Sequence, residues 1–153
     1  PCRCGNSGCL ETLVSESAIL RQAENIARIN PEGILATLFS QASDNPPIEC
    51  VFDAARQGDI QVQKMIEERG YYLGIALTNL VNLFNPELIL LGGIFSRGDD
   101  LFIKPVMQTI QQRAFGGLGK NVRVQAASFG WKSGVTGAAA LALLHFFYQQ
   151  IEI

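Results

Sequence analysis

The chain has 153 residues, of which 48% are hydrophobic and 17% charged, and its formal net charge is −2. This composition is typical of a globular protein and excludes an intrinsically disordered chain. The small negative charge argues against a nucleic-acid-binding surface, because phosphates are held by a clustered basic face. No apolar run reaches the roughly 18 residues of a membrane span, and no secretory signal pattern is present, so a cytoplasmic location is expected.

Three of the four cysteines lie in the opening sequence PCRCGNSGCLE, at Cys2, Cys4 and Cys9. A disulfide framework is one interpretation, but a Cys2–Cys4 bridge would be strained and Cys50 lies far along the chain. Three buried, unreactive thiols are a second interpretation. The polar residues and glycines between the cysteines argue against it.

A metal-binding loop is the third interpretation. Gly5 and Gly8 permit tight turns, so that thiolates two and five residues apart can converge on one tetrahedral ion. Thiolates favour zinc among the common metals. Structural zinc takes four ligands, so the fourth would be absent, supplied by water, or located upstream of Pro1. His145, the single histidine, is expected to be an ordinary core or surface residue.

The first half of the chain is predicted to be helical. Residues 10–29 show helical periodicity, with a possible break where Ser15 or Ser17 caps a second segment. Residues 34–47 show a mixed pattern that ends in a surface loop at 43–47. A short helix is predicted over 48–57, closed by Gly58, with Cys50 packed in the core.

The strongest helical periodicity runs from residue 59 to residue 83, with Asp59 as the N-cap. Gly70 and Gly74 lie inside this helix and each costs about 1 kcal/mol relative to alanine, which predicts that another element packs closely against them. The predicted apolar stripe consists of Val62, Met65, Ile66, Leu73, Ala76, Leu77 and Leu80.

The second half alternates strands and helices. The run ELILLGG, residues 87–93, predicts a strand buried on both faces. A helix over 99–114, a glycine-rich turn over 116–119 and a strand over 121–129 follow, with Val122 and Val124 on one face, and the last helix is predicted over 133–150. A strand–helix–strand unit favours parallel pairing. Two strands alone leave unpaired edges, so this α/β, helix-rich fold is expected to be incomplete as a domain.

The motif C-x-C-G-x-x-G-C-x-E, from Cys2 to Glu11, resembles the signature of the ROK family of bacterial sugar-responsive repressors and sugar kinases. Two further segments, GYYLGIALTNLVNLFNPELILLGG and SGVTGAAALAL, resemble the long helix with its late strand and the final helix of that family. The resemblance implies the C-terminal part of an actin-like ATPase (ribonuclease H-like) fold, with at least two parallel strands. It divides the chain into a zinc loop (1–11), a helical insert (12–58) and a section with the long helix, two strands and the terminal helix (59–153).

The resemblance also implies site residues. Cys2, Cys4 and Cys9 would bind a structural zinc together with a histidine upstream of Pro1. Glu11 would contact the hydroxyls of a sugar or amino sugar. The alternative for this acid is a solvated residue in the first turn of a helix, where a negative charge is favourable.

In the kinases of the family, the nucleotide lies against positions that correspond to Gly92, Gly93, Gly134 and Gly137. The resemblance therefore implies that ATP and Mg²⁺ would be held there in a kinase. Glycine at these positions can equally end a strand or permit close helix packing. The catalytic aspartate of the family would lie upstream, so no catalytic residue is assigned and this segment alone is not expected to be an enzyme.

The stretches CRCGN and NLFNPELIL look more like the repressor members of the family. The expected function is therefore the sugar-sensing portion of a ROK transcriptional regulator, a homodimer that binds DNA only through an upstream helix-turn-helix. The alternative is the corresponding portion of a glucokinase-like sugar kinase. A third possibility is a zinc-stabilised interaction module that binds neither sugar nor nucleotide.

Overall fold

The computed structural model describes residues 1–42 and 45–148. Residues 43 and 44 of the predicted surface loop, and residues 149 and 150 of the predicted last helix, lie outside the described residues. The helices are α1 (Glu11–Val14), α2 (Glu16–Ile29), α3 (Ile34–Gln41), α4 (Pro47–Arg56), α5 (Ile60–Phe84), α6 (Ile94–Arg97), α7 (Asp99–Arg113) and α8 (Ser133–Leu143). The strands are β1 (Leu88–Leu91) and β2 (Arg123–Ala126), with 3₁₀ turns at Phe115–Lys120 and Gly130–Lys132 and a π turn at Leu144–Tyr148.

The predicted break within residues 10–29 occurs at Ser15. This residue is extended, with ψ of 157°, and its hydroxyl oxygen accepts a hydrogen bond from the Ala18 amide at 3.3 Å. A serine in this conformation satisfies one of the free amides at a helix start, so the chain begins a new helix instead of continuing α1. The break separates α1, the short helix that carries Glu11, from α2.

Helix α3 was not predicted, and a residue far along the chain contacts its first turn. Its first turn has no side-chain cap of its own. The buried Asp59 carboxylate accepts from the Leu35 amide at 3.4 Å, and also from the Gln61 and Val62 amides at 3.1 and 3.2 Å. One carboxylate therefore caps α5, as predicted, and also supports the start of α3.

Among the described residues, helices α5 and α7 make the most extensive contact between two helices. A β-carbon on Gly70 would lie 2.6 Å from Pro105 Cγ, and one on Gly74 would lie 2.6 Å from Thr109 Cβ. The prediction that an element packs against both glycines is confirmed. Gly70 thereby leaves room for the Pro105 ring of α7.

The Gly74→Ala variant should be less stable than the wild type by up to about 2 kcal/mol. Overpacking against Thr109 costs about 1–3 kcal/mol, and the gain in helix propensity returns about 1 kcal/mol. Gly137→Ala is the matched control, since Gly137 lies in α8 with nothing within 4 Å of its missing β-carbon. It should be neutral or slightly stabilising in chemical denaturation, and equal effects of the two changes would contradict the packing argument.

The two strands pair in parallel, as predicted, with Leu88 opposite Arg123 and Leu91 opposite Ala126. Both are shorter than predicted. The expectation that β1 is buried on both faces is wrong for the described residues, since Leu88 is 39% and Leu90 59% exposed. The reason is that α5 and α7 cover only the face that carries Ile89 and Leu91.

Two apolar clusters share the long helix. One joins the N-terminal half of α5 to α2, α3 and α4, and the other joins its C-terminal half to α1, α7 and the strands. Cys50 is buried in α4, as predicted. Leu80, which was predicted to belong to the apolar stripe of α5, is 45% exposed and does not belong to the core. Val122 and Val124 are both buried.

The last helix presents its side chains to solvent among the described residues, including Val135 and Leu141. His145 follows in the π turn and is exposed, with its ring centroid 5.0 Å from that of Phe146. Of the two predicted roles, in the core or on the surface, it therefore has the second. In the part of the chain that the structure describes, no helix combines the length and apolar character needed to cross a bilayer.

Candidate functional site

The cysteine loop is folded back on itself by main-chain hydrogen bonds. The Cys2 amide donates to the Asn6 carbonyl at 2.7 Å, and the Gly5 amide donates to the Cys2 carbonyl at 3.0 Å. Gly5 and Gly8 have φ of +91° and +72°, a region that other residues rarely adopt. The turns that were expected at these glycines are therefore present.

These turns bring three sulfur atoms together. The Sγ atoms of Cys2, Cys4 and Cys9 all lie within 4.8 Å of one another, and those of Cys4 and Cys9 are 3.5 Å apart. Zinc–sulfur bonds of about 2.3 Å in a tetrahedron place sulfur atoms roughly 3.8 Å apart. The donor set and its spacing therefore fit three corners of a tetrahedral zinc site, and within residues 1–42 and 45–148 no carboxylate or imidazole joins the three sulfurs.

The two other interpretations of the cysteines fit less well. All four cysteines are free thiols, and Cys4 is exposed while Cys2 and Cys9 are partly exposed, so they are not buried packing residues. Cys50 is separate from the loop, and its thiol points to the Leu38 carbonyl at 3.9 Å.

The pKa values of Cys4 and Cys9 are shifted in opposite directions. A hydrogen bond from the Asn6 backbone lowers the pKa of Cys4, and hydrogen bonds from the Cys9 and Cys2 side chains lower it further. The pKa of Cys9 is raised, mainly by its hydrogen bond with Cys4. A metal ion that binds all three sulfurs must displace the protons that the thiols still carry.

Glu11 lies two residues after Cys9 and is the first residue of α1. Its Oε1 accepts a hydrogen bond from Arg3 Nη2 at 2.7 Å, which raises the pKa of the guanidinium. The Glu11 side chain is 54% exposed and that of Arg3 is 91% exposed. The carboxylate is thus accessible to a ligand although it already has one partner.

Glu11 lines an open cleft of about 530 Å³ between the cysteine loop and the start of α2. The lining offers hydrogen-bond donors and acceptors of both charges: Arg3, Glu11, Thr12, Ser15, Glu16 and Arg21. Polar clefts of this kind suit a ligand with several hydroxyl groups better than an apolar one.

The four predicted nucleotide-site glycines lie in two places. Gly92 and Gly93 follow β1, with Gly93 at φ of +62°, while Gly134 and Gly137 lie in α8. Helix α6, which follows the first pair, contacts the 3₁₀ turn that precedes α8, and Ser96 Oγ lies 3.6 Å from where a β-carbon of Gly130 would be. None of the four faces a close neighbour among the described residues, so close packing does not explain them here.

Sequence reasoning missed the side chains that hold the segment after β1. Arg56 donates to both oxygens of Asp100, at 3.0 and 2.8 Å, and to the Arg97 carbonyl at 3.2 Å. The Arg56 guanidinium lowers the pKa of Asp100. Arg97 in turn pairs with Glu49 of α4 at 2.6 Å. These contacts join residues more than 40 positions apart, and no local pattern signals them.

Arg3 was also missed as a partner of Glu11. The sequence indicates only that Arg3 lies between two candidate metal ligands and eight residues before an acid. Two residues eight positions apart in a loop have no defined distance until the turns at the glycines are formed, so the contact could be recognised only in the structure.

Known proteins similar to this chain include sugar kinases and repressors. A glucokinase of Halalkalibacterium halodurans is 35% identical over 147 residues, which cover 92% of this chain and 42% of that protein. The DNA-binding transcriptional repressor Mlc of Escherichia coli is 32% identical over 138 residues, covering 90% of this chain and 32% of Mlc. The chain thus spans less than half the length of these relatives.

Two solved structures share the fold. A ROK family transcriptional regulator, homologous to E. coli Mlc, matches with a TM-score of 0.76 and 32% identity, over 92% of this chain and 34% of that one. A ROK family glucokinase from Streptomyces griseus, in complex with glucose and AMPPNP, matches with a TM-score of 0.75 and 31% identity, over 90% of this chain and 45% of that one. The predicted actin-like fold is confirmed. The family model described as the ROK family matches residues 1–144, and the chain belongs to that family.

Proposed function

We propose that this chain forms the sugar-sensing portion of a ROK transcriptional regulator. In this function Cys2, Cys4 and Cys9 hold a structural zinc, and Glu11 binds hydroxyl groups of a sugar or amino sugar. The observation that carries the proposal is the placement of the Glu11 carboxylate in an open polar cleft, directly after a loop that gathers three thiols.

The metal would have a structural role. Bound zinc would cross-link residues 2 to 9 and so hold the start of α1, with a fourth ligand from water or from a residue outside those described. The chain's own contribution is the set of turns at Gly5 and Gly8, which bring the sulfurs into reach before metal arrives. A loop of reduced thiols fits a cytoplasmic location, because thiols stay reduced there.

Glu11 has the chemistry of a sugar ligand. An ionised carboxylate is acceptor-only and can bind two hydroxyl groups, and hydrogen bonds to a charged acceptor are stronger than neutral ones. Helix α1 has only four residues, so the favourable interaction of an acidic side chain with its N-terminus is small. Helix stabilisation alone therefore accounts poorly for an acid at this position.

The regulator is preferred because the stretches CRCGN and NLFNPELIL resemble the repressor members of the family. Sugar at Glu11 would favour one arrangement of two subunits and thereby change the DNA affinity of a separate DNA-binding part. The face of β1 that carries Leu88 and Leu90 is uncovered, which supports its association with another polypeptide segment. We propose that the protein forms a homodimer.

A sugar kinase is the second candidate, and the contact between α6 and the turn before α8 favours it. This contact brings the segment after Gly92 and Gly93 beside the start of the helix that carries Gly134 and Gly137. Backbone amides without side chains in the way can approach phosphate groups closely. In this alternative the glycines would hold ATP with Mg²⁺.

The two functions separate in one NMR titration of the full-length natural protein. Glucose and a magnesium complex of AMPPNP are added in turn. Shifts at Glu11 with glucose alone support the regulator, and further shifts at all four glycines with the nucleotide support the kinase. A protein that responds to neither glucose, N-acetylglucosamine nor nucleotide would instead be the zinc-stabilised interaction module.

Glu11→Ala should weaken glucose binding by roughly 10- to 100-fold, since hydrogen bonds to charged groups contribute about 1.5–3 kcal/mol. Calorimetry measures the affinity, and metal analysis should show unchanged zinc. Glu32→Ala is the matched control, because Glu32 is an exposed acid in the turn after α2, outside the cleft lining. Equal glucose affinity of Glu11→Ala and wild type would remove the sugar role.

A further inference from the structure

We propose that Arg3 is a positioning residue that couples the filling of the cysteine loop by metal to the orientation of the Glu11 carboxylate. This inference deepens the proposed function, on which it rests, because it takes the loop as the metal site and Glu11 as the sugar ligand. It assigns a role to a side chain that is neither a candidate metal ligand nor itself a predicted sugar ligand.

Arg3 is placed to connect the two sites. Its backbone lies between Cys2 and Cys4, so it moves with two of the three sulfurs. Its side chain reaches across to α1, where Nη2 donates to Glu11 Oε1 at 2.7 Å. The contact joins residues eight positions apart and thereby fastens the loop to the helix that follows it.

The bond also restricts the carboxylate. Arg3 engages Oε1 of Glu11, which limits rotation of the group and leaves Oε2 for a sugar hydroxyl. A ligand that needs the carboxylate in this orientation therefore binds better when the loop is ordered. By thermodynamic linkage, a sugar that binds Glu11 must then strengthen metal binding by the same factor.

The expected coupling is modest, because both side chains are exposed, Arg3 by 91% and Glu11 by 54%. Exposed ion pairs change equilibria by about two- to fivefold. Salt screens such pairs, since the Debye length is only about 3 Å at 1 M ionic strength. The coupling should therefore decrease as salt is added, whereas direct metal–thiolate bonding should change less.

The first experiment measures zinc affinity without any sugar, by competition with a chromophoric chelator. It compares the full-length natural protein with Arg3→Ala, Glu11→Gln and the double variant. If the two side chains are coupled, the zinc affinity of the double variant should differ by about two- to fivefold from the value expected when the two single effects are multiplied. This difference should become smaller in 1 M salt. Arg3→Lys keeps the charge but not the planar fork, and it should restore part of the coupling.

The outcomes separate this inference from the proposed function. A zinc-binding protein in which the single effects simply multiply overturns the role of Arg3 and leaves the metal site standing. A wild-type protein without measurable zinc affinity overturns both.

The second experiment adds glucose to the same competition assay. Glucose should raise the zinc affinity of the wild type by about two- to fivefold and that of Arg3→Ala by less. The same gain in both proteins overturns the coupling through Arg3. Absence of glucose binding by the wild type overturns the sugar part of the proposed function, while the sugar-free cycle still decides whether Arg3 couples the loop to Glu11.

Discussion

The Cys4→Ser variant should lose its zinc during purification, whereas the wild type retains one ion per chain. Changes to residues that only support a metal ligand cost about 10- to 100-fold in affinity, and removal of a thiolate ligand itself should cost more. The Sγ atom of Cys4 lies 3.5 Å from that of Cys9, and a hydrogen bond from the Asn6 backbone lowers the pKa of the Cys4 thiol. Metal analysis of freshly desalted protein measures the result.

Cys50→Ala is the matched control for this experiment. Cys50 is buried in α4 and lies outside the group of sulfurs, so its variant should retain the metal.

In the wild type, acidification should release zinc, because protons compete for the thiolates, and a chelator should loosen the loop. Wild-type protein prepared in reduced form without zinc, or a Cys4→Ser variant with its full zinc content, would contradict the metal assignment.

Phe102→Ala should be the most destabilising single change in the apolar cluster around α4. Phe102 is fully buried in the first turn of α7. Its ring makes edge-to-face contacts with the rings of Phe52 in α4 and Phe95 in α6, with centroid–centroid distances of 6.1 and 5.1 Å. Truncation of a buried phenylalanine costs about 3–5 kcal/mol. For a chain of this size the melting temperature should fall by roughly 6–20 °C.

Phe115→Ala provides the surface control, since Phe115 is 80% exposed. It should change the free energy of unfolding by less than about 0.5 kcal/mol. Because Phe95 belongs to α6, the Phe102→Ala variant should also loosen the segment after Gly92 and Gly93, which amide hydrogen exchange would detect. Similar losses of stability from both variants would contradict the assignment of Phe102 to the core.

Much of the candidate site could be predicted because its determinants are local. The spacing of Cys2, Cys4 and Cys9 with glycines between them indicates a converging loop, and the sulfurs do converge. The position of Glu11 after the last cysteine indicated its place beside that loop. The contact from Arg3 could not be predicted, because its reach depends on the folded path of the turns.

The same division runs through the fold. Ser15 and Asp59 cap helices within three residues of themselves, so the sequence alone determined where α2 and α5 begin. The helical stripe of α5 and the apolar run of β1 are likewise properties of short segments, and both elements are present.

Only the tertiary structure decided the features that depend on distant partners. The first turn of α3 has no side-chain cap from its own segment, and its Leu35 amide donates to the carboxylate of Asp59, 24 residues further along the chain. The neighbours of Gly70 and Gly74 come from α7, and the exposed face of β1 follows from which helices reach the sheet. Capping and periodicity act over one or two turns of chain, whereas packing is settled between segments that the sequence keeps far apart.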